Sequence, residues 1–313
     1  MSVYNHDSDY VVTSGRGHLD IDALACGFGM VDYLQQQGYH AAFVSSSPLN
    51  ATVPDSLRSS GLSWKKTQPI HDRSKFIVCD VSDPDFFDPL VNQKQILEVI
   101  DHHFGFTEFW QQRAGVFSDI RPVAACASLV TRRFMDHKIE PDLMTARLLG
   151  TAILSNSLGL KLRLTQTLDH ESFMFLNEYY PFKADACEGF FRECQEDFQM
   201  SPLENLFLDT KLTRISGMLC AIGQIEAWDR YGFSMKLLFE EFKRKFRDHV
   251  AVINMACVGE SRNLIFTDDH RVLDMMEKLY PGQRHRDYYE TENLLLLRKE
   301  LCQDMEVFME DRI

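Results

Sequence analysis

The sequence predicts an α/β protein in which an N-terminal, largely parallel sheet with helices on both faces is followed by a smaller C-terminal α/β domain with a mixed sheet. Two observations predict this. The first half alternates short apolar runs of strand length with longer helical patterns, as strand-helix-strand crossovers require. The second half begins after a polar, acidic stretch and brings strand signals in pairs, the first pair around a turn at Ser216-Gly217.

In chain order, the apolar run DYVVTS leads through a loop into a helix beginning near Asp22, and HAAFVSS (40–46), KFIVCD (75–80) and ILEVID (96–101) follow as strands. PVAACASLVTRRFMDH (122–137) and PDLMTARLLGTAILSNSLG (141–159) read as helices. Each opens on proline, which suits a first turn because the missing N–H would have no helical partner there. A third helix is predicted from Asp169 to Tyr179. From Phe182 to Asn205 the chain is acidic and helix-prone without strand signal, with Ser201-Pro202 as punctuation. The expected division is a first domain over 1–185, a linker over 186–205 and a second domain over 206–313. In the last, LDTKLTRI and MLCAIGQIE flank the Ser216-Gly217 turn, a helix lies near 234–246, HVAVINMAC and RNLIFTD are strands, and NLLLL (293–297) runs into a final helix.

At 313 residues, 45% hydrophobic and 25% charged, the chain has material for two ordinary cores. Its formal charge of −13 argues against long nucleic acids as partners, because phosphate-backbone binding draws its affinity from clustered Lys and Arg. The opening residues carry no basic region leading into an apolar run, and no segment approaches the ~20 apolar residues of a membrane span. No membrane partner is expected, and the protein reads as cytoplasmic. Eight cysteines without a CxxC pair read as reduced, buried thiols rather than a disulfide framework or a zinc knuckle.

Ligands of open parallel sheets collect at the carboxyl ends of strands. Here the first strand runs into GRGHLDIDALACG, which places Asp20 and Asp22 in the strand-to-helix loop. A later strand ends at Asp80 and the next in Asp101-His102-His103. One strand-end aspartate is most simply a helix N-cap. Four acids in equivalent places, with two imidazoles beside them, form instead a donor set for a hard divalent cation such as Mg²⁺ or Mn²⁺.

Together with RPVAACAS (121–128) and GTAILSNSLGLK (150–161), these motifs resemble the DHH phosphoesterase superfamily, in particular the family II inorganic pyrophosphatases and their exopolyphosphatase relatives. In the second half LDTK (208–211), IGQIEAWD (222–229) and LLRKE (296–300) are similar to the phosphate-binding domain of those pyrophosphatases, and the Gly-rich signature of the nuclease branches is absent. The resemblance implies a metal-dependent phosphohydrolase acting on a small phosphorylated substrate in a cleft between two domains. Mn²⁺ is the expected ion, with Mg²⁺ or Co²⁺ as alternatives. It further implies that Asp20, Asp22, Asp80 and His102 ligate metal with Asp80 as bridge, that His103 faces the leaving group, that Lys211, Arg298 and Lys299 hold the phosphates, and that the protein forms a homodimer through an edge strand.

Two positions depart from the family pattern. Where the family has a metal-binding His four residues before the first Asp of DxD this chain has Arg16, which offers no lone pair, and the ligand Asp of its ILSDT motif is Asn156, a weak neutral donor. Three readings stay open: Arg16 replaces one ion and binds phosphate itself, His18 restores a two-metal site, or the site binds phosphorylated ligands without turnover. Pyrophosphate, short polyphosphate and a nucleotide-like phosphoester are the substrate candidates, and an oligonucleotide-trimming nuclease is the remaining alternative.

Overall fold

A computed structural model describes residues 3–310, which divide into two units. The first comprises Met1–Leu49 and Ser56–Ala186, the second Asn50–Asp55 and Cys187–Ile313. The first unit carries β1 (Asp9–Thr13), α1 (Ile21–Gln36), β2 (His40–Phe43), the short α2 (Asp55–Arg58) at a junction with the second unit, β3 (Ser74–Cys79), β4 (Ile96–Asp101), α3 (Thr107–Gln111), β5 (Phe117–Ile120), α4 (Cys126–His137), α5 (Leu143–Asn156) and α6 (Thr167–Tyr179). Its five strands lie in the order β2-β1-β3-β4-β5, every pair parallel. The central strands are buried on both faces, which is why they read as unbroken apolar runs. Val11, Phe76 and Val78 pack on one face with Phe87 and the fully buried Trp110, while α1 and α4 cover the other.

Glu98 lies in the middle of β4 and is buried. It is tolerated because Arg133 of α4 donates to its Oε1 at 2.7 Å and the Tyr4 hydroxyl to its Oε2 at 2.5 Å, so neither charge is left without a partner.

The second unit contains α7 (Ala186–Met200), α8 (Pro202–Leu208), β6 (Thr210–Ile215), β7 (Met218–Ala227), α9 (Met235–Lys245), β8 (Val250–Cys257), β9 (Arg262–Phe266), α10 (His270–Leu279), β10 (Gly282–Arg284), β11 (Tyr288–Thr291) and α11 (Arg298–Glu310). Its sheet runs β10-β11-β9-β8-β7-β6 and is mixed, with β7 and β8 parallel and the other pairs antiparallel. The 186–205 stretch, expected as a linker, forms α7 and most of α8. Phe190, Phe191, Cys194 and Phe198 supply α7 with a buried apolar stripe, and Phe198 joins the core beneath β7 and β8. Residues α10 and the β10-β11 pair were not expected from the sequence. Val272, Leu273, Met275 and Met276 bury one face of α10, and β10 is only three residues long and largely exposed.

Beside this sheet Arg230 donates to Glu260 Oε2 at 2.7 Å and to Glu290 Oε1 at 2.9 Å, and Arg262 also bonds Glu290. Burial pushes both carboxyls up, but the hydrogen bonds from Arg230 and Arg262 outweigh it and hold them below the usual range. A carboxylate depressed in the folded state adds stability that is present above its unfolded value, about 4.3 for Glu, and is lost as pH falls through the folded value. The thermal midpoint is therefore expected to drop on acidification below about pH 4.3, and Glu290→Gln to flatten that drop, as read from melting curves across pH.

Candidate metal centre

The site forms where β3 and β4 end side by side. Their parallel register pairs Cys79 with Ile100, and the next residue on β3, Asp80, donates its N–H to the Ile100 carbonyl at 2.8 Å. Asp80 holds φ at 62°, left-handed backbone that a non-glycine residue adopts at a cost. Such strain is typical of a side chain that must be aimed at one point. That side chain is buried, and its Oδ1 has no hydrogen-bond partner. Burial first, and then the neighbouring carboxylates of Asp22 and Asp20, hold the Asp80 carboxyl well above the usual carboxylate range.

His102 faces it. The His102 Nδ1 lies 3.2 Å from the Val123 carbonyl, which can only accept, so Nδ1 carries the proton. Its Nε2 then presents a lone pair 3.3 Å from Asp80 Oδ1 and 3.8 Å from Asp22 Oδ2. Two acceptors at that separation in a buried place require a proton or a cation between them. An unpartnered carboxylate oxygen facing an imidazole of fixed tautomer fits a divalent metal, and Asp80 and His102 are the residues that would hold it.

Asp101 completes the cluster: with Asp80, His102 and His103 it offers ligand atoms all within 4.8 Å of one another. Its Oδ1 accepts from His103 Nδ1 at 2.7 Å and from the backbone N–H groups of His102 and His103 at 2.7 and 3.2 Å. Burial raises its carboxyl, but the His103 charge and hydrogen bonds prevail and lower it. Asp101 therefore orients His103, whose side chain is 44% exposed and turns Nε2 away from the carboxylate. This second-acid role was not assigned to Asp101 from the sequence.

Asp22 has a structural duty as well. From the first turn of α1 its Oδ2 accepts the Cys126 N–H and its Oδ1 the Ala127 N–H, both at 2.8 Å. These amides open α4, whose N-cap residue Ala125 has no side-chain oxygen to offer. A second carboxylate missed in the sequence, Asp169 of α6, accepts the Ala124 N–H at 3.0 Å and the Ser128 hydroxyl at 2.6 Å. The small residues of PVAACAS let both acids approach this helix start. Asp20 caps α1 through the Ala23 N–H at 2.8 Å.

The remaining candidates are outside the group whose ligand atoms lie within 4.8 Å of one another. Arg16 is exposed, with its guanidinium over the Phe86 ring at 5.7 Å from the centroid. His18 is half-buried on the same loop, and Asn156 is the half-buried last residue of α5. In the second unit Arg298 and Lys299 open α11 and Lys211 is exposed on β6. The Arg298 guanidinium donates to the backbone and side-chain oxygens of Asp209, each at 2.7 Å. Burial pushes the Cys302 thiol up, and the charges of Lys211 and Arg298 partly offset that rise.

A parallel sheet ending in this acid-imidazole cluster defines a class, and residues 11–154 match the DHH family, N-terminal domain. That match covers most of the first unit, and its description agrees with the DHH phosphoesterase superfamily that the motifs resemble. Among solved structures, a Methanococcus jannaschii protein assigned to the family II inorganic pyrophosphatases superposes with a TM-score of 0.74 at 18% identity, over 96% of this chain and 99% of its own. An exopolyphosphatase-related protein from Bacteroides fragilis follows at a TM-score of 0.51 and 11% identity, over 97% of this chain and 92% of its own. At these identities the likeness is one of fold, and it extends over both units. No curated protein matches the sequence.

Proposed function

We propose that the protein is a metal-dependent phosphohydrolase that cleaves a phosphoanhydride or phosphoester bond, with pyrophosphate, short polyphosphate and nucleotide-like phosphoesters as its substrate class. The observation that carries this reading is the buried Asp80 Oδ1 set 3.3 Å from the His102 Nε2 lone pair, beside the Asp101-His103 pair. Asp80 and His102 would hold a divalent ion, with Mn²⁺ the first choice and Mg²⁺ or Co²⁺ as alternatives, and Asp20 and Asp22 would lend it negative charge. When bound, such an ion lowers the pKa of water and draws charge from a phosphoryl oxygen.

The chain's own groups supply the rest. His103, held at Nδ1 by Asp101, keeps Nε2 available to pass a proton to the departing oxygen. Lys211, Arg298 and Lys299 neutralise phosphate charge from the second unit, where a guanidinium can engage two oxygens at once. Arg16, exposed with its guanidinium over Phe86, adds one further cation for a phosphate. Of the three readings open for Arg16, direct phosphate binding suits this placement best.

The test is release of inorganic phosphate from pyrophosphate, tripolyphosphate and nucleotides with Mn²⁺, Mg²⁺ or Co²⁺. Turnover that disappears on chelation and returns with Mn²⁺ is expected. Silence over the whole panel, with phosphate still bound, would leave a binding protein without turnover.

A further inference from the structure

The first turn of α11 is held by side chains from three adjacent strands. Gln224 of β7, Asn254 of β8 and Asn263 of β9 are all buried, the most exposed at 4%, and form a continuous ladder of amides. Asn254 Nδ2 donates to Gln224 Oε1 at 3.0 Å, and Asn263 Nδ2 donates to Asn254 Oδ1 at 2.6 Å. Three buried amides inside otherwise apolar strands cost desolvation, so their retention needs a reason beyond packing.

What they grip is the segment before α11. Asn263 accepts the Leu296 N–H on Oδ1 at 2.9 Å and donates Nδ2 to the Leu296 carbonyl at 2.7 Å, reproducing with a side chain the two-bond grip of a strand pair. Asn254 Nδ2 donates to the same carbonyl at 2.9 Å. Gln224 Oε1 accepts the backbone N–H of Arg298 at 2.9 Å. The residue before Arg298, Leu297, has no side-chain acceptor to cap the helix, so Gln224 does this from another strand. The guanidinium of Arg298 is meanwhile tied to Asp209. Main chain and side chain of Arg298 are thus fixed independently.

Because Gln224 Oε1 receives two donors, its amide orientation is set and Nε2 points the other way, buried and without a hydrogen-bond partner. Asp209 and Glu226 line the same small cavity, which has room for about one water molecule.

We infer that Gln224, Asn254 and Asn263 are positioning residues that preorganise Arg298, at the start of α11, for a phosphate group. This rests on the proposed reading of the second unit as the phosphate-binding arm. Two cations at a helix N-terminus repel the positive end of the helix dipole, and an unrestrained first turn would relieve that by fraying. The ladder prevents the fraying and keeps the charge concentrated where an anion gains from it.

The experiment uses the full chain and inorganic phosphate as the probe, with hydrogen exchange at the Leu296 and Arg298 amides as a second readout. Gln224→Met is expected to speed exchange at Arg298 and weaken phosphate binding about tenfold, whereas Gln224→Glu, which keeps the accepting oxygen, leaves that exchange slow. Arg298→Ala is expected to weaken phosphate binding on the order of a hundredfold, and adding Gln224→Met to it to produce no further loss, since the ladder acts through Arg298. If Gln224→Met does not fold, Asn263→Ser releases Leu296 from the other end and carries the same expectation. Unchanged exchange, or an equal loss with and without Arg298, would overturn the inference while leaving the phosphate-binding arm intact. Unaltered phosphate binding in Arg298→Ala would remove the arm itself, and the ladder's role with it.

Discussion

Replacing Asp80 by asparagine is expected to lower turnover by at least about 10³-fold and, in the same protein freed of metal, to raise stability by about 1–3 kcal/mol. Both effects have one cause. Asp80 Oδ1 is buried without a hydrogen-bond donor and faces the unprotonated Nε2 of His102 at 3.3 Å, with Asp22 and Asp20 near enough to hold its carboxyl high. An asparagine there offers an N–H to that imidazole and carries no charge, so the apo fold relaxes and the cation loses a ligand. The sign of the pH effect follows. A carboxyl raised in the folded state takes up a proton on folding, so the stability of the metal-free protein falls as pH rises above the unfolded carboxylate value of about 3.9, and Asp80→Asn removes that fall. Melting curves in chelator, with phosphate release measured in parallel, check both halves. A less stable metal-free variant would mean that Asp80 is a structural acid.

The second large effect runs the opposite way. Asp22→Ala is expected to cost about 3–5 kcal/mol already in the metal-free protein. Both of its oxygens accept amides from the start of α4, and Asp22 is fully buried, so its loss strands two N–H groups with no water to replace it. Asp22→Asn keeps one acceptor and is expected to cost less than half as much. Denaturant unfolding of the two variants in chelator gives the comparison, and a loss seen in Asp22→Ala only when metal is present would make Asp22 a ligand and nothing more.

Asp80 and the Asp101-His102-His103 triplet were legible in the sequence because apolar runs that stop abruptly at an acid mark strand ends, and neighbouring parallel strands put those ends together. What stayed hidden was the division of labour. Asp22 and Asp169 meet the α4 amides across 105 and 45 residues of chain, and no local pattern announces such a cap. Arg16 stands at a position where the resembled family places a metal ligand, yet its aromatic partner Phe86 is 70 positions on and its orientation was beyond any spacing argument. The amide ladder is invisible for the same reason: each of its members is on a different strand, and only the strand order brings them into line. In α7 the signal was present, since Phe190, Phe191, Cys194 and Phe198 recur on one helical face, but a stretch so rich in charge reads as a connector until the core it covers is known.

The most direct test is a titration of Mn²⁺ into the chelated full-length protein and into Asp80→Asn and His102→Ala. The expected result is at least one ion bound per chain by the native protein and none, or binding weakened at least about a hundredfold, in either variant. Native protein that takes up no ion, or variants that bind with unchanged stoichiometry and affinity, would contradict a metal centre at the ends of β3 and β4.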